Sequence, residues 1–205
     1  MIRKLLLYIV FCLPGLLNAQ EIILIRHSVV SLQTKGWMSA KKAIELRAAY
    51  NNAPVYNFNP DLVLEKIPRR ITDTVYISAM PRSITTGIVL FGDSVQFVSV
   101  KQLNEFDMHM VRLPLLLPYK AWTAISRGIW LMGVKKQGTE SYKEAQKRVR
   151  RVCNIIEQKV QQDKQIILVT HGFINRKIAK ELKKRGWRIT QNKGQKNLGA
   201  TVLLK

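Results

Sequence analysis

The sequence predicts an α/β fold, a three-layer sandwich in which a largely parallel central sheet is flanked by helices. Short apolar runs alternate with segments of helical periodicity along the chain. The run KQIILVT at 164–170 is almost wholly apolar, as expected for a strand that is covered on both faces. No internal repeat or break in composition marks a second domain, so we expect one domain over residues 20–205.

Four more apolar runs provide the other predicted strands of this sheet. They are EIILIR at 21–26, DTVYISA at 73–79, VQFVSV at 95–100 and ATVLLK at 200–205. Because helical segments separate most of these runs, the strands are expected to pair mainly in parallel.

Helices are predicted between the strands from capping residues and from helical spacing. The predicted helices cover residues 40–50, 81–91, 139–162 and 171–187. Ser39 can cap the first of them. Pro81 can open the second, because its missing N–H is not needed at a helix start. Thr139 is the predicted cap of the third, with Glu140 in its first turn, where an acidic residue suits the helix dipole.

The segment 110–134 is apolar and aromatic, and it contains Trp122 and Trp130. We interpret it as one or two short helices packed over the sheet or over the mouth of an active site. The alternative is a surface that docks on lipid or on a hydrophobic substrate.

The N-terminal residues have the layout of a secretory signal peptide. A basic start, MIRK, precedes the apolar run LLLYIVFCLPGLL, and Ala19 offers a small residue for cleavage. We therefore expect residues 1–19 to be a signal peptide and the protein to be exported, periplasmic or secreted. An uncleaved membrane anchor is the alternative. Cleavage would leave Cys153 as the one cysteine, and its apolar helical surroundings predict a buried thiol.

The charge balance is strongly basic, with 34 Lys and Arg against 13 Asp and Glu, a formal net charge of +21. Such a field attracts phosphorylated metabolites, nucleic acids or the acidic surface of a membrane. The segment KKRGWRITQNKGQKN at 183–197 could contact a nucleic-acid backbone. We interpret it instead as a solvated basic face, and no specific nucleic-acid partner is predicted.

Candidate functional residues follow three of the predicted strands. Arg26 and His27 end the first strand, Arg82 lies in the helix that follows the second, and His171 follows the apolar run at 164–170. In α/β folds ligands bind beyond the carboxyl ends of the strands. Two guanidinium groups and two imidazoles near helix N-termini suit a tetrahedral oxyanion. A neutral imidazole there can also act as a nucleophile.

Five segments, in order along the chain, carry a resemblance to a known family. They are LIRHS at 24–28, VYISAMPRSITTGIVL at 75–90, LNEFD at 103–107, GTESYKEAQKRV at 138–149 and IILVTHGFINRKIAKEL at 166–182. Together they resemble the histidine phosphatase superfamily, in its phosphoglycerate mutase-like branch. The resemblance implies the α/β fold predicted above and a phosphoryl-transfer activity that needs no metal or cofactor.

The resemblance also implies roles for individual residues. His27 matches the nucleophile that takes the phosphoryl group as a phosphohistidine. The groups that hold the phosphate oxygens match Arg26, Arg82 and His171, so that His171 also belongs to the catalytic set. Glu105 matches the general acid, and Asp107, two residues along the same loop, is the alternative.

Two positions depart from the family pattern, and one histidine stays outside it. Ser28 stands where the family usually has Gly, and Thr86-Gly87 replaces the usual Thr-Ala. His109 could touch a substrate at the rim of the pocket, but a structural loop histidine is the favoured interpretation.

The sequence thus predicts an exported phosphatase that hydrolyses a phosphomonoester, either a phosphorylated small molecule or an envelope-linked phosphate ester. The alternative is a catalytically weak or inactive phosphate-binding member of the same fold, which Ser28 alone supports. Peripheral contact with a membrane is a further expectation, based on the net charge and on the stretch from Trp122 to Trp130. No oligomeric state is predicted.

Overall fold

The computed structural model describes residues 19–68, 72–134 and 136–205. Its strands are β1 Glu21–Arg26, β2 Trp37–Met38, β3 Thr74–Ser78, β4 Gln96–Val100, β5 Leu117–Pro118, β6 Gln165–Thr170, β7 Arg188–Asn192 and β8 Ala200–Leu204. Six of them form one sheet in the order β4-β3-β6-β1-β8-β7, and β2 pairs with β5 in a small separate ribbon. Strands β4, β3, β6 and β1 run parallel, whereas at one edge β8 pairs antiparallel with β1 and β7 pairs antiparallel with β8.

The helices between these strands include all those that the sequence predicted, and one short helix, α2, that it did not. They are α1 Ala40–Asn52, α2 Asp61–Leu64, α3 Pro81–Phe91, α4 Tyr119–Leu131, α5 Tyr142–Asp163 and α6 Gly172–Lys184. Short 3₁₀ turns follow at Gly92–Ser94 and Lys101–Leu103. The α/β fold with a largely parallel central sheet is therefore confirmed.

The central strand β1 divides the core into two layers because its side chains alternate between the faces of the sheet. Ile22 and Leu24 pack in one cluster with apolar residues of α5 and α6. Ile23 and Ile25 pack in a second cluster on the opposite face, where α3 contributes Leu90. Helices therefore cover both faces, which is the predicted three-layer arrangement.

A third apolar cluster joins α1, α4 and the β2–β5 ribbon. Trp122 lies in it at 0 % exposure and donates its indole N–H to the carbonyl of Met38 at 2.9 Å. Trp130 is 1 % exposed and donates to the carbonyl of Glu140 at 2.6 Å. The packing interpretation of 110–134 is thus confirmed, with one helix, α4. These two indoles are therefore not available for the lipid-docking surface that was the alternative for this segment.

The cap of helix α5 lies two residues later than predicted. Ser141, not Thr139, is its cap, and its hydroxyl accepts from the N–H of Glu144 at 3.2 Å while the carboxylate of Glu144 accepts from the N–H of Ser141 at 2.7 Å. This reciprocal pair satisfies two free N–H groups at once. Glu140 precedes the helix and pairs with Arg148 at 2.7 Å instead of lying in the first turn.

The edge strand β7 lies within the basic segment 183–197, where the sequence predicted no strand. Its pairing partner is β8. It was missed because exposed polar residues alternate in it with half-buried ones, so it lacks the apolar run by which the other strands were recognised. Charged and polar residues are common on edge strands, where they discourage pairing with other chains.

The prediction of a buried thiol at Cys153 is confirmed. The Cys153 side chain is buried, and this burial raises the pKa of its thiol to about 12, so the thiol stays protonated.

Residues 1–18 of the predicted signal peptide lie outside the described residues. Within the described part of the chain, every helix is too short or too polar to cross a bilayer.

Candidate active site

The two predicted histidines meet because β1 and β6 are adjacent parallel strands in register. Arg26 lies opposite Thr170, so the next residues along the chain, His27 and His171, leave the sheet side by side. The N–H of His27 donates to the carbonyl of Thr170 at 2.9 Å. The two imidazole rings lie 5.1 Å apart between centroids, at an interplanar angle of 60°.

His27 is 2 % exposed, and one nitrogen of its ring is held by the backbone. Nδ1 lies 2.6 Å from the carbonyl oxygen of Ser28. A carbonyl only accepts, so Nδ1 carries the proton and Nε2 keeps its lone pair. Burial and the positive charges of Arg82 and Arg26 lower the pKa of His27 to about 3, although the hydrogen bond to Ser28 acts in the opposite direction. At neutral pH this imidazole is uncharged and can act as a nucleophile.

His171 is engaged at both ring nitrogens. Nε2 lies 2.7 Å from the hydroxyl of Ser78, at the end of β3. Nδ1 accepts from Nε of Arg82 at 3.2 Å. Burial, then the positive charge of Arg82, lower the pKa of His171 well below its ordinary value of 6.5. A neutral ring is what the Arg82 contact requires, because only an unprotonated nitrogen accepts.

Arg82 reaches the two histidines from the first turn of α3, which Pro81 opens as predicted. Its side chain is 1 % exposed although it is charged. Nη1 donates to the side chain of Asn51 at 3.3 Å, and the guanidinium lies 5.1 Å from the centroid of the Tyr50 ring. These neighbours orient the guanidinium without neutralising it.

Arg26 crosses the start of α6 on the other side of the histidines. A Cβ at position 172 would lie 3.1 Å from Cδ and Nε of Arg26, so Gly172 gives this side chain its path. Nη1 of Arg26 donates to the carbonyl of Gln195. Its Nε is buried and has no hydrogen-bond partner among the described residues.

Ser28 fits its position without strain, although the family usually has Gly there. Its backbone φ is not positive, since among the described non-glycine residues only Lys164 and Leu198 have positive φ. The N–H of Ser28 donates to the hydroxyl of Thr86 at 2.9 Å, and its own hydroxyl donates to the carbonyl of Tyr56 at 3.4 Å. The serine is thus built into the site.

Glu105 is anchored at the N-terminus of α6. Its carboxylate accepts from the N–H groups of Phe173 at 3.2 Å and Ile174 at 3.1 Å. It also accepts from the N–H of Phe106 at 3.1 Å. These bonds hold the carboxylate within the first turn after His171.

The other two predicted candidates of this loop lie further out. Asp107 is exposed and lines a cavity that it shares with Glu105. His109 is half-buried, and its Nδ1 is buried without a partner among the described residues. The structure thus brings together Arg26, His27, Arg82, His171 and Glu105, and leaves Asp107 at the rim.

The loop 193–199, between β7 and β8, supports the end of β1 and was not predicted to belong to the site. The side-chain amide of Asn197 donates to the carbonyls of His27 at 2.9 Å and Ser28 at 3.0 Å. Gly199 accepts from the N–H of Arg26 at 3.0 Å, and a Cβ on it would lie 2.0 Å from the carbonyl oxygen of Lys193. The two glycines of this loop, Gly194 and Gly199, are the sequence signal that could have pointed to a tight loop.

A further arginine, Arg127 of α4, also faces the site. Its guanidinium carbon lies 4.6 Å from the centroid of the Phe173 ring, one residue beyond Gly172. Its Nε is buried without a hydrogen-bond partner among the described residues. The sequence offered no signal for it, because Arg127 lies in the middle of the segment interpreted as packing.

Two cavities flank Glu105. The larger, about 400 Å³, is called the outer cavity and is lined by Arg47, Asn51, Met80, Lys101, Asn104, Glu105, Phe106, Asp107, Glu140 and Arg148. The smaller, about 150 Å³, is called the arginine cavity and is lined by Arg26, Glu105, Arg127, Gly172, Phe173, Arg176 and Gln195. A substrate bound beside Glu105 therefore has room on both sides of this carboxylate.

The site offers cationic and imidazole groups and no cluster of metal ligands. Across residues 19–68, 72–134 and 136–205, no three His, Cys, Asp or Glu side chains are grouped so that they could hold a metal ion. Guanidinium groups bind tetrahedral oxyanions by paired hydrogen bonds. A neutral imidazole beside them can attack phosphorus, and a nearby carboxyl group can exchange a proton with the leaving oxygen.

Comparisons with known proteins agree with the observed fold. The solved structure of the α-ribazole phosphatase from Shigella flexneri has a TM-score of 0.57 at 15 % identity, covering 88 % of this chain and 93 % of that chain. A mycobacterial glucosyl-3-phosphoglycerate phosphatase has a TM-score of 0.55 at 16 % identity, covering 81 % and 80 %. At these identities the similarity establishes the fold.

The sequence itself was compared with protein families and with curated proteins. No curated protein matches it. The model of the histidine phosphatase superfamily, branch 1, matches residues 22–204, which contain all of the strand-end residues described above. The chain therefore belongs to branch 1 of the histidine phosphatase superfamily.

Proposed function

We propose that this protein is a phosphatase that hydrolyses a phosphomonoester through a phosphohistidine intermediate on His27. One observation carries the proposal. His27 is a buried, uncharged imidazole whose Nδ1 is held by the Ser28 carbonyl, so that Nε2 keeps a free lone pair in the positive field of Arg82 and Arg26. Membership of a phosphatase family and similarity in fold to two phosphatases support the reaction class.

In the first step, Nε2 of His27 attacks the phosphorus atom. The new N–P bond forms as the bond from phosphorus to the ester oxygen breaks, and the leaving oxygen takes a proton from Glu105. Arg26 and Arg82 neutralise charge on the phosphoryl oxygens, which is the main requirement of phosphoryl transfer. His171 keeps Arg82 in place through the contact of its Nδ1 with Nε of Arg82.

The hydrogen bonds of Glu105 identify the oxygen that can carry this proton. Oε1 accepts from two N–H groups and Oε2 from one. A carboxylate oxygen has two lone pairs. Oε2 therefore keeps one lone pair, and we assign the transferred proton to this oxygen.

In the second step, water attacks the phosphohistidine. The N–P bond breaks, inorganic phosphate leaves and the Glu105 carboxylate takes the proton of the attacking water. The lone pair returns to Nε2 of His27, so the enzyme regains its starting state. A covalent intermediate divides one difficult displacement into two easier ones.

The proposal is tested by trapping the intermediate. The full chain is mixed with a ³²P-labelled aryl phosphate and quenched in alkali, in which phosphohistidine survives and a phosphoserine ester does not. We expect label on the wild-type protein and none on His27→Gln, with turnover lowered by at least about 10³-fold, the scale of losing a catalytic nucleophile. His109→Gln is the matched control, because it removes the histidine that lies outside the site.

Two outcomes would contradict the proposal. Equal turnover by wild type and His27→Gln would remove His27 from the mechanism. Binding of phosphate without turnover or label would favour the phosphate-binding alternative, for which Ser28 was the sequence argument. The unstrained backbone of Ser28 and its hydrogen bond to Thr86 argue for an active site instead.

The export of the protein and the chemical class of its substrate are proposed from the sequence alone. We propose that residues 1–19 direct the protein out of the cytoplasm, where it meets a phosphorylated small molecule or an envelope-linked phosphate ester. N-terminal sequencing of the protein isolated from its cells should begin at Gln20, and a retained Met1 would contradict cleavage. Peripheral contact with a membrane would use exposed side chains of the β2–β5 region, such as Trp37 at 72 % exposure and Leu116 at 64 %.

A further inference from the structure

We propose that the arginine cavity binds a second anionic group of the substrate, so that preferred substrates carry a phosphate or a carboxylate near the phosphoryl group that is transferred. This inference rests on the proposed function for the reaction at His27 and names the substrate class of that site. It assigns Arg127 as the residue that selects these substrates.

The arginine cavity is beside the phosphoryl position and is distinct from it. Its lining includes Arg26 and Glu105, which border the central site. It includes none of His27, Arg82 and His171, which surround the place where the phosphorus must lie. A group in this cavity is therefore a different part of the substrate from the phosphoryl group attacked by His27.

The charges around the cavity do not balance. Arg26, Arg127 and Arg176 line it against one carboxylate, that of Glu105. The oxygens of Glu105 take their hydrogen bonds from three backbone N–H groups. Among the described residues neither Arg26 nor Arg127 forms a salt bridge to a carboxylate. A surplus of positive charge is thus left for a ligand.

Two guanidinium nitrogens of this cavity are buried and unsatisfied. They are Nε of Arg26 and Nε of Arg127, neither of which has a hydrogen-bond partner among the described residues. A buried donor without a partner costs about 1–3 kcal/mol. The transferred phosphoryl group can accept from Arg26, whereas Arg127 is left for a second anion, which would offset this cost better than an uncharged group.

Arg127 is held in position before any ligand arrives. Its guanidinium stacks on the ring of Phe173 at 4.6 Å from the centroid. The backbone N–H of Phe173 is bound by Glu105 at 3.2 Å, so the stacking surface belongs to the rigid start of α6. A planar guanidinium fixed in this way loses little freedom when it binds an oxyanion. Burial lowers the pKa of Arg127, whereas the charge of Glu105 raises it.

The outer cavity is less suited to a second anion. Its cationic residues, Arg47, Lys101 and Arg148, are matched by three acidic ones, Glu105, Asp107 and Glu140. Arg148 is already paired with Glu140 at 2.7 Å. The larger space is therefore suited to an uncharged part of the leaving group, and the second charge belongs on the side of Arg127.

The test measures binding, so it does not depend on turnover. Isothermal calorimetry on the full chain compares propylphosphonate with propane-1,3-bisphosphonate and with 4-phosphonobutanoate, which are stable analogues with one phosphonate, two phosphonates, and a phosphonate plus a carboxylate. We expect the wild type to bind at least one of the two doubly anionic ligands about 10- to 100-fold more tightly than propylphosphonate, the scale of charged hydrogen bonds. The better of the two identifies the second group as phosphate or carboxylate.

Arg127→Met, which keeps the stacking stem and removes the charge, should bring this affinity ratio to within about threefold of one. Arg151→Met is the matched control, since Arg151 is an exposed arginine of α5 that does not line the cavity, and it should leave the ratio at the wild-type value. Arg127→Gln serves the same comparison if the methionine variant does not fold.

The outcomes separate this inference from the proposed function. A wild-type ratio near one, or a ratio that Arg127→Met and Arg151→Met change equally, would overturn the second anion site. Selective binding of the doubly anionic ligands together with a failure to form phosphohistidine would overturn the proposed reaction and leave the second anion site standing.

Discussion

The central histidine pair and the arginine cavity contain similar polar groups in opposite states. At the centre, His27, His171 and Arg82 are buried and hydrogen-bonded to protein atoms. In the adjoining arginine cavity, Nε of Arg26 and Nε of Arg127 are buried and have no hydrogen-bond partner among the described residues. Groups that are already satisfied keep one geometry, whereas unsatisfied groups gain free energy when a ligand supplies the missing acceptor.

The difference follows from the secondary-structure elements that carry the central residues and the residues of the arginine cavity. The central residues follow adjacent strands whose register is fixed by the sheet. Arg127 comes from α4, which follows no strand of the main sheet and packs in the third apolar cluster through Trp122 and in the first cluster through Trp130. This division indicates that the sheet and the loop 193–199 position the reacting groups, while α4 can vary the substrate without moving them.

The largest expected effect comes from Glu105, which lines the arginine cavity and is bonded to the first turn after His171. It therefore lies where the central site and the arginine cavity meet. Glu105→Gln keeps the shape of the side chain and removes its ability to exchange the proton. We expect kcat/KM for an alkyl phosphate, which reports the step in which the leaving group departs, to fall by about 10²–10⁴-fold, the usual contribution of general acid catalysis. The loss should be much smaller for a nitrophenyl phosphate, because nitrophenolate leaves without being protonated. Steady-state kinetics with the two substrates measure this.

Asp107→Asn is the matched control for Glu105→Gln. Asp107 is exposed at the rim of the outer cavity, so this variant should stay within about threefold of wild type, since surface changes of this kind have small effects. A larger loss in Asp107→Asn than in Glu105→Gln, concentrated in the alkyl phosphate, would transfer the role of proton donor to Asp107 and would place the acid outside the central region.

The comparison also explains which parts of the site could be predicted from the sequence. Arg26, His27 and His171 were recognisable because each lies at or just beyond the end of an apolar run. Arg82 was recognisable because Pro81 marks the start of its helix. Their meeting point follows from parallel pairing, a property of the fold class. Local patterns were enough wherever a residue is placed by the strand that precedes it.

Such local sequence patterns could not predict that Arg127 and Asn197 belong to the site. Arg127 enters the site only because Trp122 and its neighbours seat α4 against α1 and the β2–β5 ribbon. Asn197 reaches the carbonyl of His27 across 170 positions of sequence, after the chain has returned through β7. Both placements depend on long-range packing, and the segment around Asn197 carries so many basic residues that a solvated face was the simpler interpretation.

A smaller expected effect concerns the pH dependence of stability. It distinguishes His27, in the central site, from His109, which lies outside it. His27 has an ordinary pKa of 6.5 when exposed, and burial followed by the charge of Arg82 lowers it to about 3 in the folded protein. As the pH falls below about 6.5 the unfolded chain takes up a proton at this residue and the folded chain does not, so the free energy of unfolding decreases. Between about pH 7 and about pH 5 the loss from His27 is about 2 kcal/mol. His171, whose pKa is also lowered by burial and by Arg82, contributes a loss of the same sign.

Denaturant unfolding in phosphate-free buffer measures this effect as a difference between variants. His27→Gln has no group to titrate at this position, so its free energy of unfolding should fall by about 2 kcal/mol less than that of the wild type over the same pH range. His109→Gln is the matched control and should keep the loss due to His27, because both central histidines are still present. Parallel profiles for wild type and His27→Gln would mean that the pKa of His27 is the same in the folded and the unfolded protein. The ring would then gain its charge in the folded protein as the pH falls below about 6.5, which would contradict the lowered pKa of the central pair.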